Sequence, residues 1–415
     1  SSSEAYYLDI PEFACSLERV MRDTTGGVEA SAGGGGAYVS DATTVAAEQQ
    51  KAAKAIARIT PDVVAAIDDY IVMTFMLGND FMPHFPSLNL RSNGMTVLLQ
   101  TYANMFRQNK ETLVSRATAD GRPTIVWKTM RAFIALLAET EHNRFMNEHK
   151  TRDRQGKQRF GGGGGAKLGG LGQKPGATAA TAATAEISSA SNAAAVDIRE
   201  LTKIACDRVT RLVGNMERCH SLTEFMSIPL EERAVERYID PFRENWEFRY
   251  YDALFGVDIY ANDRGSHRGG SSVDRLQMIC VNYIEGLEWT MRYYSTGCVD
   301  WRWTYKYPYA PLLVDLMRYV PHLDTALFPV AAGAVGTTPV KNPVRDLVQL
   351  CYVLPMASHN LLPTPVAEKL KRYYSHYYCD KLDFKWSYCK YFWEAHTELP
   401  HIRIAELEQA VAGMA

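Results

Sequence analysis

Cysteine is sparse and unpatterned. The 415 residues hold eight, at Cys15, Cys206, Cys219, Cys280, Cys298, Cys351, Cys379 and Cys389, with no Cys-x-x-Cys pair. Thiols scattered this thinly suit a reducing compartment and exclude a disulfide scaffold. Cys206, Cys219 and His220 come nearest to a zinc set, but their spacing is poor and a fourth ligand is missing. Long apolar runs are also absent, so no segment spans a bilayer and no membrane partner is expected. No secretory leader pattern opens the chain. Nor is there an excess of either charge: 45 Lys+Arg face 47 Asp+Glu, a formal charge of −2. That balance excludes a globally basic nucleic-acid coat but leaves room for a local basic channel. Internal repeats are absent. The chain opens on Ser1-Ser2-Ser3 without an initiator methionine, which reads as a fragment or processed piece.

What is present is ordinary for a globular protein: 47% hydrophobic and 22% charged residues. The length suits two or three domain-sized units with a large core. Two stretches lack the apolar residues needed to offset chain entropy. Residues 23–50 carry Gly33–Gly36 amid Ala, Ser and Thr. Residues 150–196 carry a basic stretch (Lys150, Arg152, Arg154, Lys157, Arg159), then Gly161–Gly165, then Ala, Thr and Ser. Both read as disordered insertions within one fold, because patterned sequence resumes on either side.

The patterned parts predict helices over 62–77, 91–108, 125–148, 196–217, 272–295 and 343–353. Thr60-Pro61 supplies a cap followed by proline in the first turn of the earliest of these. Period-2 alternation is scarce, and residues 380–395 are the best place for a short strand or two. The fold class is α+β, mainly helical.

Three segments carry candidate chemistry. In the first, an apolar helix that carries Asp68-Asp69-Tyr70 runs into Gly78-Asn79-Asp80, with Pro83 and Pro86 stiffening the exit. Gly78 can release the chain from helical geometry, and Asn79 tolerates unusual backbone angles. Asp80 then lies just past a buried element, as a hard oxygen ligand for Mg²⁺ or as the cap of the next turn. In the second, residues 283–311 interleave Trp289, Tyr293, Tyr294, Trp301, Trp303, Tyr305, Tyr307 and Tyr309 with Arg292, Arg302 and Lys306. Rings that stack on bases beside cations that meet phosphates suit single-stranded nucleic acid, and an aromatic core cluster is the other reading. Trp301 and Trp303 share a face if that segment is extended and diverge if it is helical. The third, Leu354 to Pro363, is a proline-flanked connector, and its lone His359 reads as a packed or surface histidine rather than a catalyst.

Taken in this order, the segments resemble the Xrn family of 5′→3′ exoribonucleases. Residues 78–88 match its Gly-Asn-Asp-Phe-x-Pro-His-x-Pro-Ser-Leu signature, extended by Arg91, Asn93 and Gly94. Residues 283–311 match its Tyr-x-Glu-Gly-Leu-x-Trp … Trp-x-Trp-x-Tyr-x-Tyr-x-Tyr-Ala-Pro signature, and residues 354–363 its Leu-Pro-x-Ala-Ser-x-Asn-x-Leu-Pro element. Trp246–Phe255 resembles a further family stretch. The resemblance spans roughly 60–395, less the low-complexity insert. It implies the C-terminal part of an Xrn-type nuclease core with low-complexity insertions. It also implies processive removal of nucleotides from single-stranded RNA bearing a 5′ monophosphate, with Mg²⁺ (or Mn²⁺) held by carboxylates.

On that resemblance Asp80 is the catalytic and metal-ligating residue. Trp301, Trp303, Arg302 and Lys306 contact RNA, one of the two tryptophans stacking on the terminal base. An activating protein partner is compatible with it. The Ala-Ser-x-Asn form of the third motif favours a nuclear, intracellular location. The segments then read as follows: 1–22 ends a preceding nuclease region, 23–50 is an insert, 51–149 is helical with the Gly-Asn-Asp motif, 150–196 is an insert, 197–400 is helical and aromatic-rich, and 401–415 is a tail.

The chain also departs from the family. Pro308 stands where the family usually has His, and Arg302 lies between the tryptophans. The family's other metal ligands and 5′-phosphate pocket lie before the Gly-Asn-Asp motif. Here only about 60 residues precede the helix that leads into it, a third of them low complexity. This polypeptide alone is therefore expected to lack a complete active site. A truncated chain is the favoured account of this; the others are a missing half that comes from another chain and a non-catalytic relative that holds RNA or a partner. A general helical interaction protein with a chance Gly-Asn-Asp is a further alternative.

Overall fold

Helix after helix follows the apolar periodicity, and Thr60 begins the best example, its hydroxyl accepting from Val63 N at 3.3 Å. The computed structural model describes residues 9–22, 59–118, 121–161, 221, 233–259, 272–324, 326–328, 343–378 and 383–412. In chain order the helices are α1 (Ile10–Arg22), α2 (Pro61–Thr74), α3 (Gly94–Asn109), α4 (Trp127–Glu139), α5 (Glu141–Gly161), α6 (Ala234–Ile239), α7 (Trp246–Phe255), α8 (Ser272–Ser295), α9 (Leu313–Tyr319), α10 (Asp346–Val353), α11 (Thr364–Tyr373) and α12 (Ile404–Val411). Two antiparallel strand pairs complete the described elements. β1 (Val114–Ser115) pairs with β2 (Thr124–Ile125), and β3 (Asp383–Lys385) with β4 (His396–Glu398).

The expected helices recur with shifted ends. The predicted 125–148 helix is two, broken at Thr140, whose backbone leaves helical geometry before Glu141. The strand expected within 380–395 is β3, with β4 just beyond it, whereas the β1–β2 pair is too short to show as alternation. The basic stretch expected to be disordered is instead the second half of α5 as far as Gly161. The segments 23–50, 162–196 and 196–217 lie outside the described residues. Residues 404–411, within the expected tail, form a core helix burying Leu407, Ala410 and Val411.

Two compact units interleave along the chain: residues 1–145 with 259–342, and 146–258 with 343–415. In the second, α10, α11 and α12 share a core of Val348, Cys351, Leu362, Val366, Leu370, Leu407 and Val411. This unit also explains why the basic stretch is helical. Arg152 on α5 pairs with Glu148 one turn back (3.0 Å) and with buried Glu236 (2.8 Å), and it donates to the carbonyls of Tyr388 and Cys389. Arg233 joins Glu236 at 2.5 Å. Glu236 also accepts from Tyr388 N at 2.7 Å, holding a tyrosine whose φ of +65° is otherwise costly. The two guanidinium groups keep Glu236 below the usual carboxylate range despite its burial.

The first unit uses buried carboxylates to satisfy backbone N–H groups at the ends of other elements. Asp69 on α2 is fully buried. Its Oδ1 accepts from Leu113 N and Val114 N at 2.9 and 2.8 Å, and its Oδ2 accepts the Tyr102 hydroxyl of α3 at 2.5 Å. Neighbouring Asp68 takes both arms of Arg116 at 2.6 and 2.9 Å. Glu141 accepts from Leu313 N and Val314 N, the first turn of α9, and from the Ser87 hydroxyl.

Burial pushes the Asp69 carboxyl up to about 7, against the pull of its three donors and of Arg22. Its folded pKa therefore exceeds its unfolded one near 4. Any stability linked to its protonation is complete below about pH 4 and is lost as pH rises towards 7. Asp69→Asn keeps an acceptor for Leu113 and Val114 and cannot ionise. Its melting midpoint, relative to the parent's, should climb between pH 4 and 7 by more than the roughly 2–4 °C that accompanies 1 kcal/mol in a domain of this size. Thermal melts at pH 4, 5.5 and 7 check this, and a constant offset means that Asp69 stays ionised throughout.

Candidate functional site

The Gly-Asn-Asp turn is built by its own residues. After a 3₁₀ turn at Phe75–Leu77, Gly78 takes φ +90°, and a Cβ there would lie 3.0 Å from His84 N. Only glycine suits that conformation and that approach. Asn79 acts through its side chain rather than through an unusual backbone angle. Its Oδ1 accepts from Phe81 N and Met82 N at 2.9 and 3.0 Å, while its own N–H reaches Met82 O at 3.0 Å. Asn79, not Asp80, therefore caps the turn. Asp80 is exposed, and among the described residues no hydrogen bond or ion pair engages its carboxylate.

The turn then runs along one face of α8. The Tyr283 hydroxyl donates to Pro83 O at 3.1 Å, and the Tyr283 ring lies 4.9 Å from that of Phe85. Gly286 admits Met82: a Cβ at this position would lie 2.2 Å from its Sδ and 2.8 Å from Cη2 of Trp303. Phe81 is set edge-on to Trp289 and Tyr293, both at 4.9 Å. Trp289 lies between two rings, stacked on Tyr293 at 5.1 Å and on Trp303 at 5.2 Å. Tyr294 faces Phe81 and Phe75 at the same end. Burial, and then the Asp80 charge, push its hydroxyl pKa above the usual phenolic value.

A bend separates the two tryptophans of the second segment. Trp303 N donates to Asp300 O at 3.4 Å, and Asp300 Oδ1 accepts from Arg302 N at 2.7 Å. Trp301 projects from this turn with 51% of its surface exposed. Trp303 turns inward, its Nε1 donating to Glu285 Oε2 at 3.2 Å. Neither the extended nor the helical alternative holds across 301–303, and the turn alone distinguishes the two rings. Beyond it, residues 304–306 are held by Asn282, and the Lys306 side chain is exposed.

The fold therefore sets Asp80 near the exposed Tyr294 of α8 and packs Trp303 on Trp289 of the same helix, with exposed Trp301 leaving the turn just before Trp303. It does not surround Asp80 with ligands: among the described residues, no group of three His, Cys, Asp or Glu side chains could hold a metal ion. These residues do not fit a complete Mg²⁺ site. Asp68 and Asp69, just upstream, are engaged structurally. His359 is buried, 4.5 Å edge-on to Tyr378, and is a packed histidine as expected.

The site list drawn from the sequence omits Phe81, Asn282, Glu285, Gly286 and Trp289. The 282, 285/286, 289, 293 spacing is a helical stripe, and it was the available signal for all but Phe81.

These features define a helix-dominated α+β module with two minor antiparallel strand pairs, its exposed rings and carboxylate supplied by remote motifs. No described helix is long and apolar enough to cross a membrane. The chain belongs to the Xrn family: the model of the Xrn1 helical domain matches residues 60–415. It is 27% identical over 347 residues to the 5′-3′ exoribonuclease 2 homolog of Caenorhabditis elegans, covering 73% of this chain and 32% of that protein. It is 24% identical to 5′-3′ exoribonuclease 2 of Gallus gallus (88% and 37% covered) and to that of Arabidopsis thaliana (83% and 34%). The chain thus spans about a third of the length of these relatives.

Three substitutions test the packing. Trp303→Ala removes a stacked, hydrogen-bonded indole and should cost about 3 kcal/mol, whereas exposed Trp301→Ala should stay within about 0.5 kcal/mol of the parent. Gly286→Ala gains about 1 kcal/mol of helix propensity. It should still destabilise, because Met82 and Trp303 must move apart at an overpacking cost of about 1–3 kcal/mol. Chemical denaturation of the three variants measures both effects, and equal losses for Trp301 and Trp303 would contradict the assignment of inner and outer rings.

Proposed function

We propose that this chain is the RNA-holding part of an Xrn-type fold, binding single-stranded RNA over its α8 face without hydrolysing it alone. The observation that carries this reading is the pairing of an exposed aromatic set with a lone carboxylate. Tyr293, Tyr294 and Trp301 are exposed rings and Lys306 is an exposed cation, while Asp80 stands apart from any ligand cluster among the described residues. Rings and cations of this kind suit bases and phosphates. Trp301 is the stacking ring, and Trp303 packs on Trp289. Arg302 and Lys306 meet the backbone.

A second reading is favoured by the solvent-facing, unengaged Asp80 carboxylate: a 5′→3′ exoribonuclease acting on 5′-monophosphorylated RNA with Mg²⁺. It requires further carboxylates beside Asp80. The nuclear location and the activating partner belong with this reading.

Fluorescence anisotropy with a labelled 5′-monophosphorylated single-stranded RNA separates the two readings. Under the first, the 415-residue chain binds in EDTA and leaves the RNA intact. Trp301→Ala weakens binding about 5- to 150-fold, the equivalent of about 1–3 kcal/mol of stacking. Lys306→Ala weakens all sequences alike and lowers the salt slope by about 0.7. Asp80→Asn leaves binding in EDTA unchanged. Shortening of the RNA on adding Mg²⁺, abolished by Asp80→Asn, supports the second reading instead, and failure to bind RNA sinks both.

A further inference from the structure

One amide side chain on α8 does the work of a missing β-strand. Asn282 Oδ1 accepts from Lys306 N at 3.0 Å, and its Nδ2 donates to Thr304 O at 3.3 Å. Those are the two backbone groups that an adjacent strand would engage on one edge of an extended segment. The Asn282 side chain is 92% shielded from solvent, so its amide is set by its partners rather than by water. Nδ2 also reaches Glu285 Oε2, at 3.3 Å. A carboxylate only accepts, so the amide nitrogen faces Glu285 and the oxygen faces Lys306 N–H. The same Oε2 accepts Trp303 Nε1 at 3.2 Å. One oxygen therefore orients both the amide that holds 304–306 and the indole that precedes them.

The consequences reach the surface in two directions. Outward along the chain, the Asn282 clamp fixes the backbone from which exposed Lys306 projects, and Trp301 leaves the turn that ends at Trp303. Inward, the plane of Trp303 sets that of Trp289 (interplanar angle 24°), and Trp289 sets that of Tyr293 (12°), which is exposed. Trp289 is itself held by its Nε1 donating to Asp300 O at 2.9 Å, and the inner end of the column is restrained through Trp303. Glu285 supplies that restraint without itself reaching the exposed rings.

We propose that Glu285 and Asn282 are positioning residues for base stacking, acting through Trp303 on the exposed rings; this rests on the RNA-holding reading above. The test compares binding of an oligoadenylate with that of an abasic ribose-phosphate oligomer of equal length, together with near-ultraviolet circular dichroism, which reports the stacked indoles. The parent should prefer the base-bearing oligomer. Glu285→Leu should reduce that preference at least about fivefold, towards unity, within the range that loss of one base–ring contact allows. It should keep the salt slope, keep its affinity for the abasic oligomer, and weaken the near-ultraviolet band.

Glu285→Gln retains one acceptor and should restore most of the preference. If the leucine variant does not fold, an intermediate preference in the glutamine variant is the supporting result. A preference unchanged in Glu285→Leu overturns the proposal alone. Equal losses on both oligomers would mark Glu285 as merely structural and overturn it as well. A parent that binds neither oligomer overturns the RNA-holding reading and this inference with it.

Discussion

Everything at the α8 face depends on the absence of a side chain at Gly286. Met82 from the Gly-Asn-Asp turn and the indole of Trp303 both occupy the space that a Cβ would take. Because they meet there, the turn lies along the helix, with Phe81 against Trp289 and Tyr293 and with Asp80 near Tyr294. A methyl group in that position would act on the turn and on the second tryptophan at once. Two motifs separated by about two hundred residues thus share one steric constraint, and neither reaches its position alone.

A second theme is the use of acidic side chains to accept from backbone N–H groups of distant segments. Asp69 holds Leu113 and Val114, Glu141 holds the start of α9, and Glu288 accepts from Leu327 N and Phe328 N. Each sits on a helix and each is buried. Burial alone would favour the neutral acid, whereas the backbone donors favour the carboxylate. For Asp69, Glu141 and Glu288 burial prevails and the pKa rises, whereas for Glu236 two arginines reverse the balance. The difference lies in the number of formal positive charges in contact: Glu288 has one, Arg292 at 3.2 Å, whereas Glu236 has two, Arg152 at 2.8 Å and Arg233 at 2.5 Å.

The exposed rings and the lone carboxylate belong to different kinds of chemistry. Stacking surfaces work by presenting flat apolar faces, and they need rigid support more than they need titratable groups. Metal-assisted hydrolysis needs several hard ligands converging on one point. The described residues satisfy the first requirement and not the second. That contrast is the ground for the holding role proposed above, with Asp80 a carboxylate that further ligands could join.

The sequence alone determined the helical character, the turn at Gly78 and the pairing of motifs that marks the family. Those depend on local spacing: apolar residues three and four apart, proline after a capping threonine, and a glycine where φ must be positive. It also marked Trp301 and Trp303 as candidates without distinguishing between them. Only tertiary structure distinguished them, because the bend at Asp300 and the acceptor at Glu285 come from different parts of the chain. Tertiary structure likewise made a helix of the basic stretch around Arg152, whose partners Glu236 and Tyr388 lie far away in sequence. It showed Asn79 rather than Asp80 to cap the turn, and it put Asp69 to structural use, since burial and long-range partners leave no local signature. Composition bounds what a segment can do alone. What it does in the folded chain is set by the groups that reach it from elsewhere, and here those are single carboxylates, one amide and one missing side chain.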